Sequence, residues 1–203
     1  MIDQEIEVKF YLSNLAGLRS RLENMGANLV QTRTHELNLR FDTPDGDLAR
    51  SFQVLRLRRS SDTRLTYKGQ GSIESGVRIR QEIEFVVSDF GAAQRFLQAL
   101  GFQVSMIYEK YRTVYDLAGV LVTLDEMPYG NFTELEGPTP QDVLAMSQRL
   151  ALHWEHRIMD SYTALFERLK TTQQLSLRDL TFENFTGLEI SPSSLSVEPG
   201  DIG

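Results

Sequence analysis

Polar and apolar residues alternate over much of the chain. Glu5-Ile6-Glu7-Val8-Lys9-Phe10 is charged at every odd position and apolar at every even one, the pattern of a half-buried strand. The period then changes. Ser13 offers an N-cap, Leu15, Leu18, Leu22 and Met25 recur at helical spacing, and Gly26 stands where a C′ glycine would close the helix. The same plan returns later. Residues 78–85 alternate again, Ser88 can cap, Phe90, Ala93, Leu97 and Leu100 carry the helical stripe, and Gly101 stops it. Glu7 to Glu82, Phe10 to Phe85, Ser13 to Ser88 and Gly26 to Gly101 are all separated by 75 residues. Each unit runs into a further strand, 36–42 and 109–116. Capped helices after strands are common, but four coincident offsets favour a duplicated strand–helix–strand architecture.

Further strands are expected at 53–59, 64–69, 120–126 and 132–136, eight in all, with turns such as Asp45-Gly46-Asp47 and Gly69-Gln70-Gly71 between them. Thr139-Pro140 opens a helix running to about Trp154, and Asp160 or Ser161 caps another ending near Lys170. Residues 171–203 are polar, with Ser-Pro-Ser-Ser and Glu-Pro-Gly near the end. They read as a short ordered piece around 180–185 followed by a flexible end. The expected organisation is one domain over 1–170 and an acidic extension over 171–203.

Composition narrows the chemistry. With 203 residues, 41% hydrophobic and 24% charged, a packed core is expected and global disorder is not. There is no cysteine, which excludes disulfides and thiolate chemistry; with three histidines a multi-histidine metal site is not expected, and any metal should be a hard, oxygen-bound one. His35 reads as outward-facing or packed, and His153 and His156 as helix-end charges. No apolar run approaches the roughly 20 residues of a membrane span. The opening MIDQEIEVKF has neither a basic nor an apolar leader region, so a cytoplasmic protein is expected. A net charge of −7 disfavours nucleic acid as a partner. The four lysines are outnumbered by 17 arginines, yet Lys9, Lys68 and Lys110 all fall in strands.

The polar faces of those strands carry both signs. Glu5, Glu7 and Lys9 share a face, as do Arg56 and Arg58, and Arg78, Arg80, Glu82 and Glu84, and Lys110 and Arg112. Lys68, Asp125, Glu134 and Glu136 add to the set. For a single strand a solvated outer face explains the pattern. Repeated like-charge pairs on strand after strand are harder to reconcile with it, because like charges on one face repel. The alternative is a closed sheet with a polar lumen and an apolar outer face under helices. Ile6, Val8, Phe10, Leu55, Leu57, Ile79, Ile83 and Phe85 would then bury beneath the helices at 13–26 and 88–100. The lumen would hold eight basic and seven acidic residues. Arginine and lysine clusters suit phosphate oxygens, and carboxylates without histidine or cysteine suit Mg²⁺ or Mn²⁺. Together they suit a polyphosphate with its metals.

These residues resemble a known family. Glu5-Ile6-Glu7-Val8-Lys9 is similar to the E-x-E-x-K opening of the CYTH superfamily, the triphosphate tunnel metalloenzymes. Asn38-Leu39-Arg40-Phe41-Asp42-Thr43 resembles its N-x-Y-F-D-T strand. Arg56-Leu57-Arg58, Tyr67-Lys68, Arg80-Gln81-Glu82-Ile83-Glu84, Lys110-Tyr111-Arg112, Leu124-Asp125-Glu126, residues 130–137 and Ser161-Tyr162 follow in the family's order. The resemblance covers roughly residues 1–170. It implies an α+β fold: an eight-stranded antiparallel closed β-tunnel with helices on the outside. It also implies Mg²⁺ or Mn²⁺ at Glu5 and Glu7, with Asp125, Glu134 and Glu136 as further metal carboxylates and Glu82 and Glu84 as supporting acids. Lys9, Arg56, Arg58, Lys68, Arg78, Arg80, Lys110 and Arg112 would hold the triphosphate. Arg40 departs from the usual tyrosine, a change at the tunnel mouth, and residues 171–203 have no counterpart.

Three functions share such a lumen. One is hydrolysis of inorganic triphosphate or a small organic triphosphate by in-line attack of water on the terminal phosphorus. Another is a class IV adenylate cyclase, releasing cyclic AMP and pyrophosphate from ATP. The third is a polyphosphate-binding module without turnover. No adenine-reading motif is present, and both E-x-E pairs are, so the hydrolase is the leading expectation. No catalytic base is identified. The expected partner is a small triphosphate, neither nucleic acid nor membrane, and a homodimer is left open.

Overall fold

The computed structural model describes residues 4–201. Nine strands form one antiparallel sheet: β1 (Gln4–Leu12), β2 (Asn28–Asp42), β3 (Val54–Arg59), β4 (Thr63–Lys68), β5 (Ser72–Glu74), β6 (Val77–Val86), β7 (Gln103–Leu117), β8 (Val120–Met127) and β9 (Gly130–Glu136). The strand order is β1-β9-β8-β7-β2-β3-β4-β6-β5, and a further β1–β6 pairing closes the ring. Eight strands were expected. The ninth arises because Gly69-Gln70-Gly71 interrupts the partner of β6: β4 pairs with residues 82–86 of β6 and β5 with residues 77–79. The ring therefore has eight positions, one of them broken.

Five helices accompany the sheet: α1 (Leu15–Asn24), α2 (Asp47–Arg50), α3 (Phe90–Ala99), α4 (Pro140–Arg149) and α5 (Tyr162–Gln173). The duplication is visible in the topology. Exchanging β1 with β6, β2 with β7, β3 with β8 and β4 with β9 leaves the order of the ring unchanged. It also extends to single hydrogen bonds. Gly26 N–H donates to Glu23 O and Ala27 N–H to Leu22 O, and their counterparts 75 residues on, Gly101 to Gln98 and Phe102 to Leu97, make the same pair of bonds. Both glycines have positive φ, +72° and +93°. The N-caps lie one residue beyond Ser13 and Ser88. Asn14 and Asp89 accept from Gly17 and Ala92 N–H, each at 2.8 Å.

The outer face is covered unequally. Ile6, Val8 and Phe10 bury under α1 and α4, and Leu39, Phe41 and Leu57 pack with Leu97 of α3. Ile83 and Phe85, expected beneath a helix, are instead 41% and 52% exposed. Their counterparts Val8 and Phe10 lie in the cluster that α4 completes, and α4, which follows β9, has no copy after β4 in the first half. No described helix is long and apolar enough to cross a membrane.

α5 does not lie on the outside. Its Tyr162, Leu165, Phe166 and Leu169 pack with Tyr11, Tyr108 and Phe132, which continue the lumen-facing rows of β1, β7 and β9. The lumen thus changes from polar to apolar along its axis, and α5 stoppers the apolar end. Residues 174–201, expected to end flexibly, are fastened to the barrel in the structure. Leu180 and Leu195 are fully buried, Gly200 N–H donates to Tyr11 O, and Asp201 accepts from Ser13 and Asn14 N–H at 2.8 and 2.6 Å.

Candidate active site in the lumen

Strand alternation delivers the charged rows to one cavity of about 420 Å³, within the roughly 300–1,000 Å³ usual for small-molecule sites. Eight cationic and seven acidic side chains line it. The sequence reading gives the same numbers with two substitutions. Arg78 and Asp125 are not in the lining, and Arg40 and Glu36 are. Arg78 turns its guanidinium to the Met159 carbonyl beyond the cavity. Asp125 is fully buried behind the wall, where it accepts from Arg112 Nε at 2.6 Å, Tyr162 Oη at 2.7 Å and Lys110 Nζ at 3.3 Å. It therefore anchors cations from outside the cavity lining, with both oxygens engaged by protein donors.

Most lining cations are held by carboxylates. Lys68 lies 2.7 Å from Glu5 and 3.0 Å from Glu82, and Arg80 lies 2.7 Å from Glu5 and 3.2 Å from Glu7. Burial alone would raise the Glu5 carboxyl, but Lys68 and Arg80 outweigh it and hold its pKa at about 2. Lys9 pairs with Glu134 at 3.2 Å, and Arg112 reaches both Glu134 and Asp125. Glu134 is likewise pulled well below the usual carboxylate range, burial being overcome by Lys9, Arg112 and Lys110. Arg56, Arg58 and Arg64 converge on Glu84 at 3.1–3.3 Å. The Tyr162 ring carries Lys9 Nζ at 4.2 Å and Lys110 Nζ at 5.3 Å from its centroid.

Three carboxylates have the opposite character. Burial, then repulsion from Glu5 and Glu134, raises the Glu7 pKa, and burial with repulsion from Glu5 raises that of Glu82. Glu136 is pushed up to about 7 by burial and by Glu5, Glu7 and Glu82. Glu136 is the exposed end of its row, so this acidic group sits towards solvent, away from α5. Of the five expected metal carboxylates, Glu7 and Glu136 thus belong to the group short of positive charge, together with Glu82. Glu5 and Glu134 are compensated by protein cations.

Sequence reasoning missed Glu36 as a lining residue, and it expected Arg40 at the tunnel mouth, whereas Arg40 bonds Thr163 of α5 at the stoppered end. Glu36 is 1% exposed, lies 3.6 Å from Arg58 and 3.7 Å from Lys110, and its Oε2 has no hydrogen-bond partner. The signal was present, since Glu36, Asn38 and Arg40 alternate on one strand like the residues that were found.

A closed antiparallel ring with a stoppered, two-signed lumen defines a class: a β-tunnel built to receive a charged small molecule. The CYTH domain model matches residues 3–162, and the chain belongs to the CYTH domain family. Similar solved structures include a Vibrio parahaemolyticus adenylate cyclase candidate with TM-score 0.74 and 19% identity, covering 82% of this chain and 99% of that one. The PH1012 protein of Pyrococcus horikoshii OT3 has TM-score 0.66 and 26% identity, with coverage of 79% and 98%. A Hippeastrum adenylyl cyclase candidate with a dominant triphosphatase activity has TM-score 0.59 and 22% identity, with coverage of 80% and 95%. No curated protein matches the chain.

Proposed function

We propose that the protein is a divalent-metal-dependent enzyme that hydrolyses inorganic triphosphate or a small organic triphosphate. The observation that carries this reading is the division of the lumen. A group of carboxylates each raised by burial and by repulsion from Glu5, namely Glu7, Glu82 and Glu136, lies beside a bore lined by arginine and lysine. The first calls for added cations and the second for an anion, and a metal-bound polyphosphate satisfies both. The triphosphatase activity of the Hippeastrum neighbour supports the same direction.

The donor set fits a hard divalent ion, being all carboxylate oxygen. Among the described residues no three such side chains form a finished ligand shell. That accords with Mg²⁺ or Mn²⁺, which take one or two carboxylates and complete their shell with water and phosphate oxygens. One or two of Glu7, Glu82 and Glu136 would hold it. When bound, the ion would neutralise phosphate charge and polarise the phosphoryl oxygens. The chain's own part is positioning. Lys9, Lys68, Arg56, Arg80 and Arg112 grip non-bridging oxygens so that the terminal phosphorus faces water in line, and their charge stabilises the transition state.

The test is one assay panel with Mg²⁺ and with Mn²⁺, offering tripolyphosphate, thiamine triphosphate and ATP. Phosphate, pyrophosphate and cyclic AMP are read separately. Phosphate release from at least one triphosphate is expected. Cyclic AMP and pyrophosphate as the only products would assign the site to a cyclase. Binding without any product would make it a sensor.

A further inference from the structure

Seven of the eight cations lining the lumen have a carboxylate within 4 Å, and Arg40 has none among the described residues. The Arg40 guanidinium makes one side-chain hydrogen bond, from Nη1 to the neutral Thr163 hydroxyl of α5 at 2.7 Å. The nearby carboxylate of Asp42 is committed elsewhere, accepting from Thr43, Leu48 and Ala49 N–H at 2.8–3.0 Å. Arg40 also stands directly opposite Arg56 in the β2–β3 pairing. Like charges in that position destabilise a sheet. Burial lowers the Arg40 pKa, with Arg56 and Arg80 adding to the effect against the pull of Tyr108 and Asp42. A half-buried guanidinium opposite another, with no counter-charge of its own, is an arrangement the protein alone does not stabilise.

We infer that Arg40 is a substrate-binding residue: with Arg56 it forms an anion subsite at the α5 end of the lumen, and the group it takes is a phosphoryl of a polyphosphate chain. This rests on the triphosphate reading of the same cavity. The guanidinium donates to non-bridging oxygens in the forked geometry that arginine offers phosphate. Thr163 holds the side chain across the lumen before the ligand arrives, so less is lost in ordering it on binding. The subsite lies on the opposite side of the cavity from Glu136, which sets the direction of the chain. One end meets the acidic mouth and the other ends against Arg40 and α5.

A binding role and a structural role make opposite predictions for stability. Arg40→Gln removes an uncompensated charge while keeping a group that can bond Thr163. Its melting temperature should equal or exceed that of wild type, and its affinity for tripolyphosphate should fall by about 10- to 100-fold. Arg40→Lys, which keeps the charge and loses the fork, should fall between the two. The experiment is calorimetric titration of tripolyphosphate and pyrophosphate into wild type and both variants without metal, beside thermal melts. Equal affinity in wild type and Arg40→Gln overturns the inference. So does a lowered melting temperature in parallel with lost binding, which would make Arg40 a structural residue. If wild type ignores tripolyphosphate, the triphosphate reading fails. The subsite is then decided by pyrophosphate: Arg40-dependent binding supports it, and no binding overturns it too.

Discussion

Glu5 and Arg80 face each other across the β1–β6 pairing, with Arg80 Nε 2.7 Å from Glu5 Oε2, and they are themselves counterparts under the 75-residue offset that relates the two halves. The seam of the duplicated ring is therefore closed by one position that has taken opposite charges in its two copies. Two glutamates there would repel in a buried setting, whereas a carboxylate and a guanidinium form a charge-assisted pair. The divergence continues along the strands: Glu7 corresponds to Glu82, but Lys9 corresponds to Glu84. The lumen is thus an asymmetric site on a nearly symmetric frame, acidic towards one end and basic in the bore.

Lys68 completes the seam by binding Glu5 and Glu82 together. Lys68→Met should lower stability at neutral pH, towards the lower end of the roughly 3–5 kcal/mol seen when one partner of a buried pair is removed, since Arg80 still compensates Glu5. The Glu5 carboxyl would then titrate above its present value of about 2. Urea denaturation at pH 7 and pH 4 checks this. The deficit should shrink at pH 4, where the stranded carboxylates take up protons. A deficit independent of pH would contradict it.

The acidic mouth predicts a pH dependence with a definite sign. The Glu136 pKa is raised from 4.5 to about 7, so between those values the folded protein binds more protons than the unfolded chain. Its contribution therefore lowers stability as pH rises through that window, and Glu7 and Glu82 act in the same direction. A divalent cation prefers the ionised carboxylates, so the rise in melting temperature on adding Mn²⁺ should be larger at pH 8 than at pH 6. Melts with and without Mn²⁺ across this range read the effect. A metal-induced shift of equal size at both pH values would sink it.

Asp125 and Glu7 should separate cleanly as anchor and site. Asp125→Asn strips the charge that holds Arg112, Lys110 and Tyr162, and should destabilise by about 3–5 kcal/mol. The folded fraction should still bind Mn²⁺ with unchanged affinity. Glu7→Gln relieves repulsion and should fold at least as well as wild type, while turnover of the best substrate falls on the order of 100-fold. Denaturation midpoints, calorimetric Mn²⁺ titration and steady-state rates on the two variants decide this. Unaltered stability in Asp125→Asn together with lost metal affinity would restore Asp125 as a ligand.

Much of the fold was legible because the alternation of charged and apolar residues is a direct imprint of a two-faced strand. The 75-residue offset was legible because it repeats caps and C′ glycines, which depend on local geometry. What escaped depends on position around the ring. Arg78 and Arg80 share a face of β6, yet Arg80 meets Glu5 inside the cavity and Arg78 meets Met159 beyond it. Asp125 and Glu134 both face inward, yet Asp125 is sealed behind Tyr162 and Arg112. Period-two patterning assigns the face of a strand and carries no information about depth along the lumen. The exposure of Phe85 had no local signal either, since it follows from the single-copy α4 covering its counterpart Phe10.

The last prediction concerns residues 174–201. α5 carries Tyr162 and Thr163 into the lumen, and its apolar face rests on Tyr108 and Phe132. The following segment holds that helix down. Leu180 forms a bridge to Tyr108 and exchanges backbone bonds with Ile107 and Glu109, Arg168 of α5 donates to the Leu195 carbonyl at 2.9 Å, and Asp201 binds the backbone at the start of α1. Removing everything after Gln173 would uncover Leu180's and Leu195's buried contacts and free one side of α5. Tyr162 would then lose its fixed place, and with it the orientation of Asp125 and the support of Lys9 and Lys110. The shortened chain should keep its sheet, melt at a lower temperature, and show KM for a triphosphate raised more than kcat is lowered, because the lysines contact substrate before and during reaction. Asp201→Ala is the milder version: it removes two hydrogen bonds at one end and should cost about 0.5–2 kcal/mol, as loss of a helix cap does, with kinetics unchanged. Circular dichroism, melts and steady-state kinetics on the three proteins test this together. A truncated chain with wild-type melting temperature and KM would show that α5 keeps its place without the segment.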